Sequence, residues 1–268
     1  MESARFVGSI PENYDQGLGP HIFEGYADDL AQRVAGLNPN SVLELAAGTG
    51  IVSRKLRDLL SSNCELVASD LNEPMLEVAQ SKFQAGETVR FERIDAMTIP
   101  YGDATFDVLA CQFGVMFFPD KPSSFKEASR VLKPNGSYLF NVWGPWESNP
   151  FARIVHETVE RFFPDNPPEF YRVPFGYHDA DEIRESLRDA GFAEVAVDDV
   201  PLTSTIRSAD VFARGLIFGN PLYQQVIDRG GNPEAICEVV SEAIRDHLGS
   251  EMPLKALFVC ASKVPGLY

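Results

Sequence analysis

The sequence lacks the pairings that metal and redox sites need. Its four cysteines, Cys64, Cys111, Cys237 and Cys260, form no Cys-x-x-Cys pair, and its four histidines are scattered. No zinc signature results and no metal is expected; the isolated thiols read as core residues. No apolar run approaches the about 18 residues of a membrane helix. The first residues carry charge and glycine rather than the apolar stretch of a signal peptide, so the expectation is a cytoplasmic chain with reduced thiols and no membrane partner. Basic residues are scarce: 23 Lys plus Arg stand against 39 Asp plus Glu, a net charge of −16. Such a surface repels a phosphate backbone unless a basic patch intervenes, and none stands out, so nucleic acid is not expected as a partner. Repeats, low-complexity tracts and linkers are missing as well.

What is present is an ordinary globular composition, 44% hydrophobic and 23% charged over 268 residues, which argues against disorder. The length suits a single domain, 1–268, with three parts: an arm and first helix over 1–39, a strand-helix core over 40–145, and a helical insertion or lid over 208–250. Residues 1–19 read as an irregular arm. Pro20 is placed to open a helix, with Ile22, Tyr26, Leu30 and Val34 on one apolar face and Gly36 at its end. Strands are expected at Val42–Leu45, Leu66–Asp70, Val89–Ile94, Phe106–Phe113 and Ser137–Trp143. Helices alternate with them, and Pro134-Asn135-Gly136 marks a turn. This alternation predicts an α/β fold with a parallel sheet covered on both faces. Later, helices are expected over 150–163 and 179–190, a strand over 193–200, two or three helices over 208–248, and a last strand over 254–262.

The strongest signal is Val42-Leu43-Glu44-Leu45-Ala46-Ala47-Gly48-Thr49-Gly50, a strand that runs into a glycine-bearing turn and then a helix. Glycines let ligand atoms approach the backbone, and the helix start offers free N–H groups. Asp70 follows Gly50 by 20 residues, at the end of the second strand, where a carboxylate can take both hydroxyls of a ribose; the alternative is a helix cap. The dinucleotide fingerprint wants a third glycine where Ser53 stands. Glu44 inside the motif would repel a pyrophosphate but suits a cationic methionine moiety, which points to S-adenosylmethionine (SAM).

These segments resemble the class I SAM-dependent methyltransferases, close to the group of ubiquinone and menaquinone C-methyltransferases and small-molecule methyltransferases. The resemblance rests on Glu44–Gly50, Ser69–Leu76, Asp95-Ala96 with Ile99-Pro100 and Phe106-Asp107, and Glu127–Gly136. It implies a Rossmann-like sheet of seven strands, the last antiparallel between the fifth and sixth. It also implies that Glu44, Ala46, Gly48, Thr49 and Gly50 hold the methionine end. Asp70 would take the ribose, with Leu71 and Met75 near the adenine. Asp95 and Ala96 would face the adenine edge, and Gln112 and Phe113 the methyl side. Ala46 stands where many relatives carry glycine and fits if its φ is negative. The Tyr14-Asp15 segment resembles one that lies against the cofactor in that group.

A small, apolar or aromatic acceptor is expected over the ends of strands one, four and five. Its wall would be Met116, Phe117, Phe118, Trp143, Trp146, Phe170, Tyr171, Phe175 and Tyr177, with Phe212, Phe218 and Tyr223 on a lid. Protein or tRNA methylation, and SAM binding without catalysis, are the alternatives. Asn166-Pro167-Pro168-Glu169-Phe170 lies too late in the chain for an amino-methylating motif and reads as a loop. Asp198-Asp199 reads as an exposed strand end. His178, in an aromatic-rich loop, is the candidate general base; Tyr14 is the second catalytic candidate.

Overall fold

The computed structural model describes residues 6–263. Its helical and extended elements follow the expected alternation. A helical stretch comes first: α1 (Ile10–Asn13), a π-helical segment (Tyr14–Phe23) and α2 (Glu24–Gly36). Then come β1 (Ser41–Glu44), α3 (Ile51–Leu59), β2 (Glu65–Asp70), α4 (Glu73–Ser81), β3 (Arg90–Arg93) and β4 (Phe106–Gln112). They are followed by α5 (Lys121–Val131), β5 (Leu132–Trp143), α6 (Pro150–Glu160), α7 (Ala180–Asp189) and β6 (Phe192–Thr205). The chain closes with α8 (Ala209–Phe218), α9 (Leu222–Asp228), α10 (Pro233–His247) and β7 (Glu251–Lys263).

The sheet has the order β3-β2-β1-β4-β5-β7-β6. β1 to β5 pair in parallel, and β7 lies antiparallel between β5 and β6. The seven-stranded mixed sheet is therefore as expected. Its central strands are buried: all four residues of β1, the polar Ser41 and Glu44 included, are buried, as a strand covered on both faces requires. The strand order reverses between β1 and β4, which opens a crevice beyond their carboxyl ends.

Four expectations are corrected. The arm is not irregular over its whole length, because it is helical from Ile10, and Pro20 lies inside the helical stretch instead of opening it. Gly17, Gly19 and Pro20 are poor α-formers, and a proline ring clashes with the carbonyl four residues back. The wider π turn, closed by the Glu24 N–H on the Gly19 carbonyl, accommodates them. The turn at Pro134–Gly136 sits within β5, where pairing jumps from Phe106–Leu132 to Val108–Ser137 and Asn135 has φ +63°. Asp198 and Asp199 are mid-strand in β6, not at its end; Arg33 and Lys255 pair with them. Exposed carboxylates along an edge strand discourage further pairing.

Candidate active site

β1 enters the site through Glu44. Its carboxyl is buried and accepts a hydrogen bond from the Ser53 hydroxyl at 2.6 Å. Ser53 thus serves, at the position a dinucleotide fold reserves for glycine, as the donor to Glu44. Burial pushes the Glu44 pKa up to about 8; the Ser53 hydrogen bond opposes this and the Asp70 charge adds to it. After β1 the chain turns sharply through Ala46, φ +52°, and Gly48, φ +56°. The condition set for Ala46, a negative φ, is not met: it adopts the left-handed conformation at a cost of roughly 1–2 kcal/mol. Its Cβ is held against Gly114, where an added Cβ would come within 2.5 Å of it. Phe113, at the end of β4, is also left-handed, φ +50°. Its N–H reaches the Asn141 carbonyl and side-chain oxygen, at 3.1 and 3.0 Å. Two strained residues face one crevice, as functional sites often require.

β2 ends on Asp70. One carboxylate oxygen accepts the Gly48 N–H at 2.9 Å and the other accepts from the Asn72 backbone and side chain at 2.8 and 3.2 Å. Asp70 is buried, and burial raises its pKa against those hydrogen bonds. Asn72 stands at the start of α4, but its side chain serves Asp70 and accepts the Phe6 N–H at 3.2 Å instead of capping the helix. Asp95 accepts the Met97 N–H at 2.9 Å.

These residues border two adjoining cavities. The larger encloses about 1110 Å³ of empty space, including its mouth. Ala46, Gly48, Asp70, Leu71, Met75, Asp95, Ala96, Gln112 and Phe113 all line it, as expected. The smaller, about 280 Å³, is lined by Glu44, Thr49, Ala46, Gly48 and Gln112, with Tyr14 and Phe23 over it. Gly50 lines neither: a Cβ there would strike the Ala79 Cβ at 2.8 Å, so its glycine serves the packing of α3 on α4. Of the expected aromatic wall, Met116, Phe117, Phe118, Trp143, Phe170, Tyr171 and Phe175 line the larger cavity; Trp146 and Tyr177 do not. Phe113 stacks on Trp143 at 3.9 Å. The insertion contributes Leu216 and Asn220 to the cavity, not Phe212, Phe218 or Tyr223. The Asn166–Phe170 segment is a loop, as read, and only its last residue reaches the cavity.

The two catalytic candidates fare differently. His178 is exposed, lines neither cavity, and its ring is bonded to the Phe175 carbonyl at 2.9 Å. The turn before α7 places it outside the site. Tyr14 lines both cavities and stacks on Phe23 at 4.8 Å. Desolvation, then the charges of Asp70 and Asp15, push its hydroxyl far above the ordinary phenol pKa, so it keeps its proton at neutral pH. Asp15 beside it accepts from the Thr49 hydroxyl at 2.6 Å and pairs with Lys82, which ties the arm to the glycine turn. Asn72, Met97, Leu18, Ile22, Phe23 and Asn220 also line the cavity. Asn72 lies within the Ser69–Leu76 segment and Met97 directly follows Asp95-Ala96; Leu18, Ile22, Phe23 and Asn220 carry no motif, because arm and insertion reach the site only through tertiary packing.

A methyltransferase-domain family model matches residues 43–140. The Ectopseudomonas mendocina ubiquinone/menaquinone biosynthesis C-methyltransferase UbiE is 30% identical over 211 residues, covering 72% of this chain and 81% of the relative.

The chain belongs to the class I SAM-dependent methyltransferases.

A demethylmenaquinone methyltransferase from Deinococcus radiodurans is 31% identical over 160 residues, 58% of this chain and 66% of the relative. Among solved structures, the Haemonchus contortus phosphoethanolamine N-methyltransferase 2 in complex with SAM superposes with a TM-score of 0.61 at 15% identity, over 95% of this chain and 56% of that one. The [4+2]-cyclase SpnF superposes with a TM-score of 0.59 at 19% identity, over 91% and 82%. Both likenesses concern the fold.

The cofactor of the methyltransferase is SAM, and its residues fit that group. A Cβ on Gly48 would meet nothing nearer than Met75 Cε at 3.9 Å, so the turn leaves room for a ligand against the backbone. Asp70 offers a buried carboxylate to hydroxyls. Glu44, whose pKa is set by burial, Ser53 and Asp70, presents its carboxyl to the small chamber, where a positively charged group fits. No helix among the described residues is long and apolar enough to cross a membrane.

Proposed function

We propose that this methyltransferase moves the methyl group of SAM to a small, apolar, aromatic acceptor. The observation that carries the reading is one continuous cavity with two characters. Its polar end lies at the Ala46–Gly48 turn with Asp70 and Asp95; its other end is walled by Phe117, Phe170, Tyr171, Phe175 and Trp143. Glu44 and the turn are assigned the methionine end, Asp70 the ribose, and Leu71, Met75, Asp95 and Ala96 the adenine. When bound, the sulfonium supplies a methyl group that is already activated for displacement. The protein's own part is alignment and exclusion of water. Trp143 and Phe113 offer a flat stacked face at the cavity wall, and Phe170 stacks on Phe117 at 6.0 Å. Tyr14 holds its proton and can donate toward the polar end. The relatives named for ubiquinone and menaquinone methylation support an acceptor with a flat ring.

Incubation with methyl-labelled SAM and a panel of phenols, quinols and amines tests the proposal. Label in a small product, with none in protein or tRNA of a lysate, is the expected result. Label confined to protein or tRNA overturns it, as does SAM binding with no labelled product.

A further inference from the structure

The aromatic chamber carries one buried polar pair, formed by Tyr171 from the loop after α6 and Asn220 from the turn after α8. The Tyr171 hydroxyl donates to the Leu216 carbonyl at 2.9 Å. The Asn220 side-chain amide donates to that same carbonyl at 2.9 Å and to the Tyr171 oxygen at 3.3 Å. The Asn220 side-chain oxygen accepts the Leu222 N–H at 2.9 Å. Both residues are buried, and both line the cavity.

Counting hydrogens and lone pairs makes the pair asymmetric. A tyrosine hydroxyl has one proton, a primary amide two, and all three are committed inside the protein. What remains is acceptor capacity: one lone pair on the Tyr171 oxygen and one on the Asn220 oxygen. Resting on the proposed acceptor class, we infer that Tyr171 and Asn220 are specificity-determining residues. They select an aromatic acceptor that presents a hydroxyl or amine hydrogen to this end of the chamber, and they reject its carbonyl or ether counterpart. A carbonyl or ether oxygen there would face only lone pairs in an apolar surrounding, and an unpaired buried polar group is costly. Sites built on buried hydrogen-bonding groups discriminate strongly against analogues that leave them unpaired. The same asymmetry separates a dihydroxy ring from its oxidised dione form, whose outlines are nearly identical.

The test uses the full chain saturated with S-adenosylhomocysteine and two probes of like shape, 1-naphthol and 1-methoxynaphthalene, with calorimetry as the readout. Naphthol is expected to bind at least about tenfold tighter than its ether. Tyr171→Phe should cut that ratio about threefold or more, leaving ether binding and S-adenosylhomocysteine binding within a factor of about two. Asn220→Ser is the second variant and should lower the ratio in the same sense. Equal binding of the two probes by the unmodified chain overturns the inference, as does a Tyr171→Phe chain that loses both probes equally, which is the result of a purely packing role. A chain that methylates the acceptor panel yet ignores the hydroxyl overturns this inference alone. One that prefers naphthol yet labels no acceptor overturns the proposed function alone.

Discussion

Gly17 of the π-helical segment and Gly215 of α8 touch backbone to backbone: a Cβ on Gly17 would come within 2.5 Å of the Gly215 Cα, and one on Gly215 within 2.6 Å of the Gly17 carbonyl carbon. This crossing joins the arm, which carries Tyr14, to the helical insertion, which carries Leu216 and Asn220, and all three residues line the cavity. Gly17→Ala must push two backbones apart. It is expected to lower stability by about 1–3 kcal/mol and to speed hydrogen exchange across residues 10–23 and 209–218 together. An unchanged melting temperature would show that the crossing is loose.

Removing the Asp70 carboxylate should weaken SAM binding. Asp70→Ala takes away charge-assisted acceptance from ligand hydroxyls, worth about 1.5–3 kcal/mol, and also frees the Gly48 and Asn72 N–H groups that shape the turn. Calorimetry of the folded variant with S-adenosylhomocysteine measures the loss. Undiminished affinity would remove Asp70 from the site.

Glu44 should make cofactor binding pH-dependent. Its pKa is raised to about 8 without ligand, so at pH 7 it is mostly protonated. A positive charge beside it lowers that pKa, and binding then expels a proton. Affinity should therefore rise as pH increases toward about 8 and level off above it. In buffers of different ionisation enthalpy, the heat of SAM binding at pH 7 should report this release, and Glu44→Gln should lack it. Without ligand the same raised pKa works against folding: stability falls as pH rises from the ordinary carboxyl range to about 8.

Ala46 and Gly114 should couple. Gly114→Ala brings its Cβ to 2.5 Å from the Ala46 Cβ and 2.6 Å from Cys111 Sγ, so a loss of about 1–3 kcal/mol is expected. Adding Ala46→Gly removes one of the two clashes and the left-handed strain. In a double-mutant cycle of thermal unfolding, the pair should recover more than about 0.5 kcal/mol over additivity. Strict additivity would mean that the turn relaxes around each change separately.

His178 should be dispensable. It is exposed and bonded to its own loop, so His178→Ala is expected to change kcat/KM less than about threefold on the acceptor found by the panel. A loss of about 100-fold would restore it as the base.

The sequence by itself determined the sheet and the polar half of the cavity. Strand and helix periods are local properties, and the Glu44–Gly50 turn, Asp70, Asp95 and Gln112 all stand at the carboxyl ends of neighbouring parallel strands, so finding the strands places the residues. Ala46 shows the limit of that reasoning: its position was legible, but its positive φ and its contact with Gly114, distant in sequence, were not. The aromatic half of the cavity was decided by tertiary structure. The helical arm, with Pro20 inside a π turn, is shaped by its contact with Gly215. Leu216 and Asn220 reach the cavity through that packing, and His178 is turned away from it by its own loop. Hydrogen-bond direction at Tyr171 and Asn220 follows from a shared carbonyl on Leu216, a backbone atom whose position no side-chain pattern records.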